Sequence, residues 1–278
     1  MKKKIIFSIS CLLSLGLGWF VLSSLSPKPA PSANDTGKDT IAMYNDQTVM
    51  ATLYQQQSGE YRALCYQAYR LAGLIVQTDY SKPSVPGNKA IVLDIDETVL
   101  DNSPFQAACI QQNVTYPKLW EEWVTKSKAE AIPGAVEFLK FAQSKSYQIF
   151  YITNREEKQK EATLKNLQIY NFPMADERHL IMKKDVSGKE LRRKQLMVNY
   201  HISLLIGDNL NDFAGIFDKK SAADRIHLTD SLQAEFGQRF IVLPNATYGD
   251  WESGLYPDYN KQTAGVKWHI RRSLLKGF

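Results

Sequence analysis

The sequence is poor in the residues that build zinc sites and disulfide frameworks. Its 278 residues include only three cysteines and four histidines, and their spacing does not suit a zinc site. It also contains no internal repeat, which excludes a solenoid or a propeller. With 44% hydrophobic and 23% charged residues, the chain can instead bury an ordinary globular core.

The chain also lacks a basic stripe interleaved with aromatic residues. Its formal net charge is +5, and the clusters Arg192-Arg193-Lys194 and Arg271-Arg272 could attract an anionic partner. Without such a stripe, solvated helix faces explain these clusters better. We therefore expect no nucleic-acid partner.

The N-terminus predicts export. Three lysines precede an apolar stretch from Ile5 to Leu25, whose length of about 20 residues is near that needed to cross a bilayer. The lysines favour a cytoplasmic N-terminus with the rest of the chain outside. We expect residues 1–25 to be a signal or, preferably, an uncleaved membrane anchor, and residues 26–40, rich in Pro, Ser, Ala and Gly, to be a flexible linker. Cys11 is poorly placed for lipidation.

Two cysteines lie in the part of the chain that we expect to be exported. In an oxidising compartment, Cys65 and Cys109 could form a disulfide. Two cysteines without a spacing signature are as often buried thiols, so both alternatives stay open.

The main domain, predicted over residues 41–278, alternates apolar runs with helical patterns. Helical spacing over 43–77 comes first, and a short continuous apolar run of the kind buried in a parallel sheet follows. This alternation predicts an α/β fold with a Rossmann-like, doubly wound parallel sheet. The predicted strands are 90–93, 148–152, 203–206 and 240–243, and the later helices are 134–145, 156–168, 188–199 and 261–276.

Polar residues at the strand ends are the candidate site, because ligands of open parallel sheets bind beyond the carboxyl ends of the strands. Asp94 and Asp96 follow the first strand. Two carboxylates one residue apart can share one cavity, one attacking and the other transferring protons. Alternatively, such a pair caps a turn or holds a structural cation.

Thr153-Asn154-Arg155 follows the second strand, at the predicted start of a helix. A hydroxyl and free backbone N–H groups at a helix N-terminus suit a phosphoryl oxygen. The alternative is that Thr153 and Asn154 are ordinary helix N-caps.

The third strand is followed by an acidic loop. Asp208 and Asp212 offer hard oxygen ligands of the kind that Mg²⁺ prefers, although the loop could also bind nothing. Before this strand, Lys189 stands at a helix start, from which it could reach a phosphate.

Together, Asp94-x-Asp96, Thr153, Lys189 and Asp208 resemble the four motifs of the haloacid dehalogenase superfamily. The resemblance implies that Asp94 attacks phosphorus to form an aspartyl-phosphate, and that Asp96 protonates the leaving oxygen and later activates water. It implies Mg²⁺ bound by the Asp94 and Asp208 carboxylates and the Asp96 backbone carbonyl. Asp96 favours the phosphatase branch, since dehalogenases and ion-pumping ATPases lack an aspartate there.

Five segments narrow this resemblance: Asp94–Ser103, Trp120–Trp123, Pro133–Ala135, Tyr151–Arg155 and Pro244–Glu252. Together they resemble the class C acid phosphatases, bacterial surface lipoproteins that often act as 5'-nucleotidases.

This narrower resemblance implies a nucleoside monophosphate as substrate, with Tyr248 stacking on its base and Asn154 and Arg155 helping to bind it. Simple packing of Tyr248 is the alternative. The resemblance also implies a small helical cap from parts of 43–80 and 103–131, a place in the bacterial cell envelope and, as an option, a homodimer. A sugar or other small-molecule phosphatase and a surface nucleotide-binding protein remain alternative functions.

Overall fold

The computed structural model describes residues 37–80 and 88–278. The predicted signal or anchor at 1–25 and most of the predicted linker lie outside these residues. Within them, no helix is both long and apolar enough to cross a bilayer. Helix α1 begins at Gly37, so residues 37–40, which we predicted as linker, are helical.

A five-stranded parallel sheet forms the centre of the fold, with strand order β5-β4-β1-β6-β7, and a separate antiparallel pair joins β2 to β3. This confirms the predicted doubly wound α/β architecture. Strand β5 was not predicted, because only four residues at the sheet edge form it. The strands are β1 (Asn88–Leu93), β2 (Leu100–Asp101), β3 (Glu130–Ala131), β4 (Gln148–Glu156), β5 (Leu180–Lys183), β6 (Tyr200–Gly207) and β7 (Phe240–Val242).

Helices cover both faces of this sheet. The first predicted helical region is two helices, and α8 was not predicted. The helices are α1 (Gly37–Gln57), α2 (Gly59–Tyr80), α3 (Ser103–Gln111), α4 (Trp120–Lys126), α5 (Ala135–Ser144), α6 (Lys160–Ile169), α7 (Glu190–Met197), α8 (Ala222–Ser231), α9 (Asp250–Ser253) and α10 (Ala264–Ser273).

Strand β1 is buried on both of its faces, as expected for the centre of a parallel sheet. Ile91 and Leu93 belong to one hydrophobic cluster and Ala90 and Val92 to another, because successive side chains point to opposite faces. Helices α2 and α5 contribute to the first cluster, and α7 packs against the second. The buried core therefore fixes where the carboxyl end of β1 lies.

The region predicted to supply the cap divides between two layers. Helix α2 packs against α5 and the sheet, whereas α1 packs against α3 and the C-terminal helix α10. The side-chain amide of Asn45 in α1 donates to the carbonyl oxygens of Cys109 and Val114, each at 3.2 Å, and so ties α1 to α3. Helices α1, α3 and α10 together stand over one end of the sheet.

Both described cysteines are free, buried thiols. Cys65 lies in the core with the residues of α2, and Cys109 lies in α3. Burial raises the pKa of each thiol to about 11. The structure therefore supports the buried-thiol alternative over the disulfide.

Candidate active site

The carboxyl ends of β1 and β6 bring the first and third predicted motifs together. The backbone N–H of Asp94 donates to the carbonyl oxygen of Ile206 at 3.0 Å, which continues the ladder between the strands to the first residue of the site. Asp208 follows β6 directly, and the Thr98 hydroxyl lies 3.5 Å from its carboxylate. The hydrogen-bond register between β1 and β6 therefore determines where Asp94 and Asp208 lie.

Lys189 lies between two of the acidic side chains. Its Nζ contacts Oδ1 of Asp94 and lies 2.6 Å from Oδ1 of Asp212. Burial alone would lower the pKa of this ammonium group, but the Asp212 and Asp94 carboxylates outweigh burial and hold the pKa above its ordinary value. Lys189 therefore carries a fixed positive charge beside the predicted nucleophile.

Three carboxylates converge at this point. Oxygen atoms of Asp94, Asp208 and Asp212 lie within 4.8 Å of one another. Burial, opposed by Lys189 and reinforced by Asp212 and Asp96, raises the pKa of Asp94 to about 7. Burial and the neighbouring carboxylates raise the pKa of Asp208 well above its usual range. Such a group of buried, mutually repelling oxygen ligands fits a hard divalent cation, which would offset the repulsion.

This carboxylate cluster differs from the predicted ligand set in one residue. Asp212, which the family resemblance did not place among the ligands, lies in the cluster. Both of its oxygens already have protein partners, since Oδ1 contacts Lys189 and Oδ2 accepts from the Asn209 N–H at 3.1 Å. The prediction assigned only the backbone carbonyl of Asp96 to the ion, so its carboxylate is free for another task.

The carboxylate of Asp96 is held by two side chains. Arg155 Nη2 lies 2.7 Å from Asp96 Oδ1, and the Asn102 amide donates to the same oxygen at 2.8 Å. Arg155 also donates to the Thr163 hydroxyl at 3.1 Å and stacks over the ring of Trp120. Arg155 is 3% exposed, and its guanidinium holds Asp96 in place. Its predicted part in substrate binding stays a prediction.

The second motif lies in a strand and not at a helix start. Strand β4 continues to Glu156, so Thr153, Asn154 and Arg155 have strand geometry, and neither Thr153 nor Asn154 is a helix N-cap. The cause is pairing of Glu156 with Lys183 of β5, which the prediction had missed. Arg192 donates to the Thr153 carbonyl oxygen and to the Asn154 side chain, each at 2.7 Å.

Gly207 is required where β6 meets the acidic loop. A Cβ atom there would lie 2.3 Å from Oδ2 and 2.5 Å from Cβ of Asp212. Only a residue without a side chain lets Asp212 approach closely enough to contact Lys189.

A cavity of about 590 Å³ opens from the carboxylate cluster toward the cap helices. Its volume lies in the range of sites for small organic ligands, and far exceeds the space that a phosphate group needs. Phe105, Tyr116 and Trp120 line one part of it, and Tyr248 lines another. Asp94, Asp96, Lys189 and Asp208 line the part at the sheet.

Comparison with known proteins decides the family. A sequence model described as "HAD superfamily, subfamily IIIB (Acid phosphatase)" matches residues 20–251. This chain belongs to that acid phosphatase family. The class C acid phosphatase from Bacillus anthracis is 43% identical, with a TM-score of 0.82, and the match covers 85% of this chain and 99% of that one.

The chain is also similar to a second structure of that enzyme and to a plant protein. The same Bacillus anthracis enzyme with tungstate bound is 42% identical with the same TM-score and coverage. The stem 31 kDa glycoprotein of Glycine max is 28% identical over 145 residues, which cover 49% of this chain and 56% of the soybean protein. The chain thus matches little more than half the length of that curated relative.

This acid phosphatase has a buried network that the motifs alone did not reveal. Glu97, fully buried with φ of 57°, accepts from the Asn102 backbone N–H at 2.9 Å and from the Tyr248 hydroxyl. Burial and the Asp96 and Asp208 carboxylates raise the pKa of Glu97 well above its usual range. Asn102 thus links Glu97 to Asp96, and Glu97 links both to Tyr248. The signal in the sequence was the pair Glu97 and Asn102 inside the first motif.

Proposed function

We propose that this protein is a magnesium-dependent acid phosphatase that hydrolyses nucleoside 5'-monophosphates through an aspartyl-phosphate on Asp94. The observation that carries the proposal is the convergence of Asp94, Asp208 and Lys189 in one buried cluster, beside an Asp96 whose carboxylate is separately held. Family membership supports phosphomonoester hydrolysis in general.

The residues divide the reaction into two displacements. A carboxylate oxygen of Asp94 attacks phosphorus as the ester P–O bond breaks, and Asp96, which must enter this step in its protonated form, gives its proton to the leaving oxygen. Asp96, now a carboxylate, takes a proton from water while that water attacks the phosphoryl-aspartate. Inorganic phosphate leaves, and both aspartates return to their initial states.

Lys189 and Arg155 serve different parts of this scheme. Lys189 stabilises negative charge at Asp94 and at the transferring phosphoryl group, and it orients the Asp94 carboxylate. Arg155 and Asn102 keep the Asp96 carboxylate in one rotamer, which favours proton transfer along a fixed line. Thr153 and Asn154, predicted for phosphoryl and substrate binding, adjoin this group on β4.

Asp94 and Asp208, with the backbone carbonyl of Asp96, are the proposed Mg²⁺ ligands, and Asp212 restrains Lys189 beside them. When bound, Mg²⁺ would polarise the phosphoryl oxygens and offset the repulsion between the carboxylates. Hard oxygen donors without histidine or thiolate favour Mg²⁺ over zinc or copper.

The cavity supports a substrate larger than phosphate itself. Its aromatic lining and volume suit a nucleoside, and stacking on a ring such as Tyr248 tolerates any base. The relative that carries tungstate supports an oxyanion subsite, since tungstate is a tetrahedral oxyanion like phosphate. A broad phosphatase for sugar and other small phosphates is the second candidate, because the phosphoryl site itself does not require a base.

The proposed location is the outer side of a bacterial membrane, with the N-terminal segment as tether. The lysines at positions 2–4 and the apolar run after them support this orientation. A homodimer is part of the same proposal only through the family resemblance. A surface nucleotide-binding protein without catalysis is disfavoured, since pure binding does not need Asp96 held beside Asp94.

The test is phosphate release by the purified full chain from a panel of phosphomonoesters, each with and without Mg²⁺. Nucleoside 5'-monophosphates should give the highest kcat/KM, and only with the metal. Equal kcat/KM values for sugar phosphates would favour the broad phosphatase, and binding of nucleotides without phosphate release would favour the binding protein.

A further inference from the structure

The cap side of the cavity carries a lysine that the proposed chemistry does not use. Lys267 of α10 lines the cavity, and its Nζ lies 3.7 Å from the ring centre of Tyr259 and 5.8 Å from that of Tyr44. Both tyrosines line the cavity too, and their hydroxyl oxygens are 3.3 Å apart. The two aromatic rings thus hold the ammonium group in the cavity wall by cation–π attraction.

Within residues 37–80 and 88–278, Lys267 forms no ion pair with a carboxylate. The acid that acts on it electrostatically is Glu252, which also lines the cavity, is 2% exposed and already forms an ion pair with Arg271. The other two cations of the cavity wall are Arg155, paired with Asp96, and Lys189, paired with Asp94 and Asp212. Lys267 is therefore the cavity-lining cation without a carboxylate partner among the described residues.

Helix α10, which carries Lys267, is held against α1 by side chains other than Lys267. Gln47 of α1 donates to the Trp268 carbonyl oxygen at 3.2 Å and accepts from Arg271 at 3.1 Å. The Arg271 guanidinium also lies 4.1 Å from the ring centre of Tyr44. Since Gln47 and Arg271 already fasten α10 to α1, Lys267 is not needed as the only link between these helices.

We propose that Lys267, framed by Tyr44 and Tyr259, is a second anion subsite, and that the substrates of this cavity include phosphomonoesters with another anionic group at their far end. The proposal rests on the proposed phosphatase function and names a substrate class for it. A partly desolvated, preoriented ammonium group gains more from an anion than a solvated one, because the charge-assisted hydrogen bond is made in a poorly screened site. The second group is a phosphate or a carboxylate.

The test uses a series of straight-chain diol bisphosphates of increasing length, each compared with the matching monophosphate that ends in a neutral hydroxyl. Phosphate release by the full chain is measured with Mg²⁺ for wild type, Lys267→Met, Lys267→Arg and the control Lys261→Met. Lys261 lies in the neighbouring turn, is exposed and pairs with Asp258. The methionine variant keeps the apolar stem and removes only the charge.

The wild type should prefer the bisphosphate at one chain length by about ten-fold in kcat/KM, mainly through a lower KM. Lys267→Met should lose that preference, whereas Lys267→Arg and Lys261→Met should keep it. A wild type with no preferred length, or a Lys267→Met variant that retains the preference, overturns the subsite. A Lys267→Met variant that loses activity equally on both series shows that the lysine only packs α10 against α1, which also overturns it.

A calorimetric measurement separates this proposal from the proposed function. Bisphosphate and monophosphate binding to the full chain are compared directly, with and without the Lys267→Met change. If no monophosphate is hydrolysed but the bisphosphate binds about ten-fold more tightly than the monophosphate in a Lys267-dependent manner, the phosphatase proposal fails and the anion subsite stands. Equal binding of both ligands refutes the subsite whatever the activity.

Discussion

Arg155 and Asp96 form an ion pair whose guanidinium is almost fully buried, with 2.7 Å between Nη2 and Oδ1 and side-chain exposures of 1% and 17%. The pair joins the end of β4 to the first motif after β1. The Arg155 guanidinium balances the charge of the Asp96 carboxylate beside Asp94, so Asp96 needs no cationic group from the substrate.

This ion pair predicts a kinetic signature for Arg155→Met. Releasing Asp96 should lower kcat by about 10²-fold, because a misplaced proton donor loses alignment with the leaving oxygen. KM should change little, since the Arg155 guanidinium is already engaged by Asp96, Asn102 and Thr163. Steady-state kinetics check this split, with Lys158→Met, an exposed ion-pair variant on the same side of the site, as the control. A large rise in KM with kcat preserved would instead support the predicted role of Arg155 in substrate binding.

The nucleophile is tested by Asp94→Asn. A carboxamide lacks the anionic oxygen that attacks phosphorus, so kcat should fall by about 10³-fold or more. Asp185→Asn changes an exposed acid that does not line the cavity, and should retain full activity. Retention of more than about a tenth of the activity in Asp94→Asn would falsify its role as nucleophile.

The sequence predicts the chemistry better than it predicts the contacts within the site. Asp94, Lys189 and Asp208 could be identified because each follows or precedes a recognisable strand or helix, and strand ends converge in a parallel sheet. The contact between Arg155 and Asp96 could not be identified, because residues 153–155 were placed at a helix start, whereas β4 continues to Glu156 and α6 begins only at Lys160. That extension depends on pairing with the short edge strand β5, and such non-local pairing leaves little trace in local sequence.

The cap is a second region where the sequence predicts the helices but not their contacts. Helical periodicity over 43–77 predicts helices there, but it cannot say that α2 covers the sheet while α1 covers the cavity. Both helices expose apolar residues on a face, and which face is covered depends on the rest of the chain. Helical periodicity also does not predict that α10 packs against α1, and this packing determines where Lys267 lies.

Gly207→Ala should impair the site through sterics alone. The new methyl group would lie 2.7 Å from Cγ of Asp212, so the loop must shift and Asp212 must leave Lys189. We expect a large loss of kcat together with a lower melting temperature. The matched control is Gly73→Ala in α2, where a Cβ meets nothing within 4 Å and should stabilise the fold by about 0.5–1 kcal/mol. Full activity of Gly207→Ala would show that the Lys189–Asp212 contact is dispensable.

Metal binding should release protons near neutral pH. In the metal-free protein burial raises the pKa of Asp94 to about 7, so this carboxyl group is partly protonated near neutral pH, and the pKa of Asp208 is also raised well above its usual range. A bound cation favours the carboxylate form and lowers both pKa values, so protons leave as Mg²⁺ binds. Because an ionised carboxyl group has no proton to lose, Mg²⁺ binding should release fewer protons as the pH rises above the pKa of Asp94.

Calorimetry of Mg²⁺ binding in buffers of different ionisation enthalpy measures that proton release. Asp94→Asn should release fewer protons than wild type. Chelation should abolish phosphatase activity and Mg²⁺ should restore it. Undiminished hydrolysis after exhaustive chelation would remove the metal from the mechanism.

Tyr248 separates a nucleotidase from a general phosphatase. Its ring lines the cavity, while its hydroxyl donates to Glu97, so ring and hydroxyl can be tested apart. Tyr248→Ala removes both, and should lower kcat/KM for a nucleoside monophosphate by about ten- to a hundred-fold while a small aliphatic phosphate is little affected. Tyr248→Phe keeps the ring and should preserve the ratio between the two substrates.

The phenylalanine variant should instead affect stability. It leaves Glu97 without one of its hydrogen bonds in a fully buried place, at a cost of about 1–3 kcal/mol in the free energy of unfolding. Thermal unfolding and the ratio of kcat/KM values for the two substrates are therefore measured on both variants. If Tyr248→Ala lowers both activities equally, the ring only supports the loop through Glu97, and the broad phosphatase becomes the better description of this cavity.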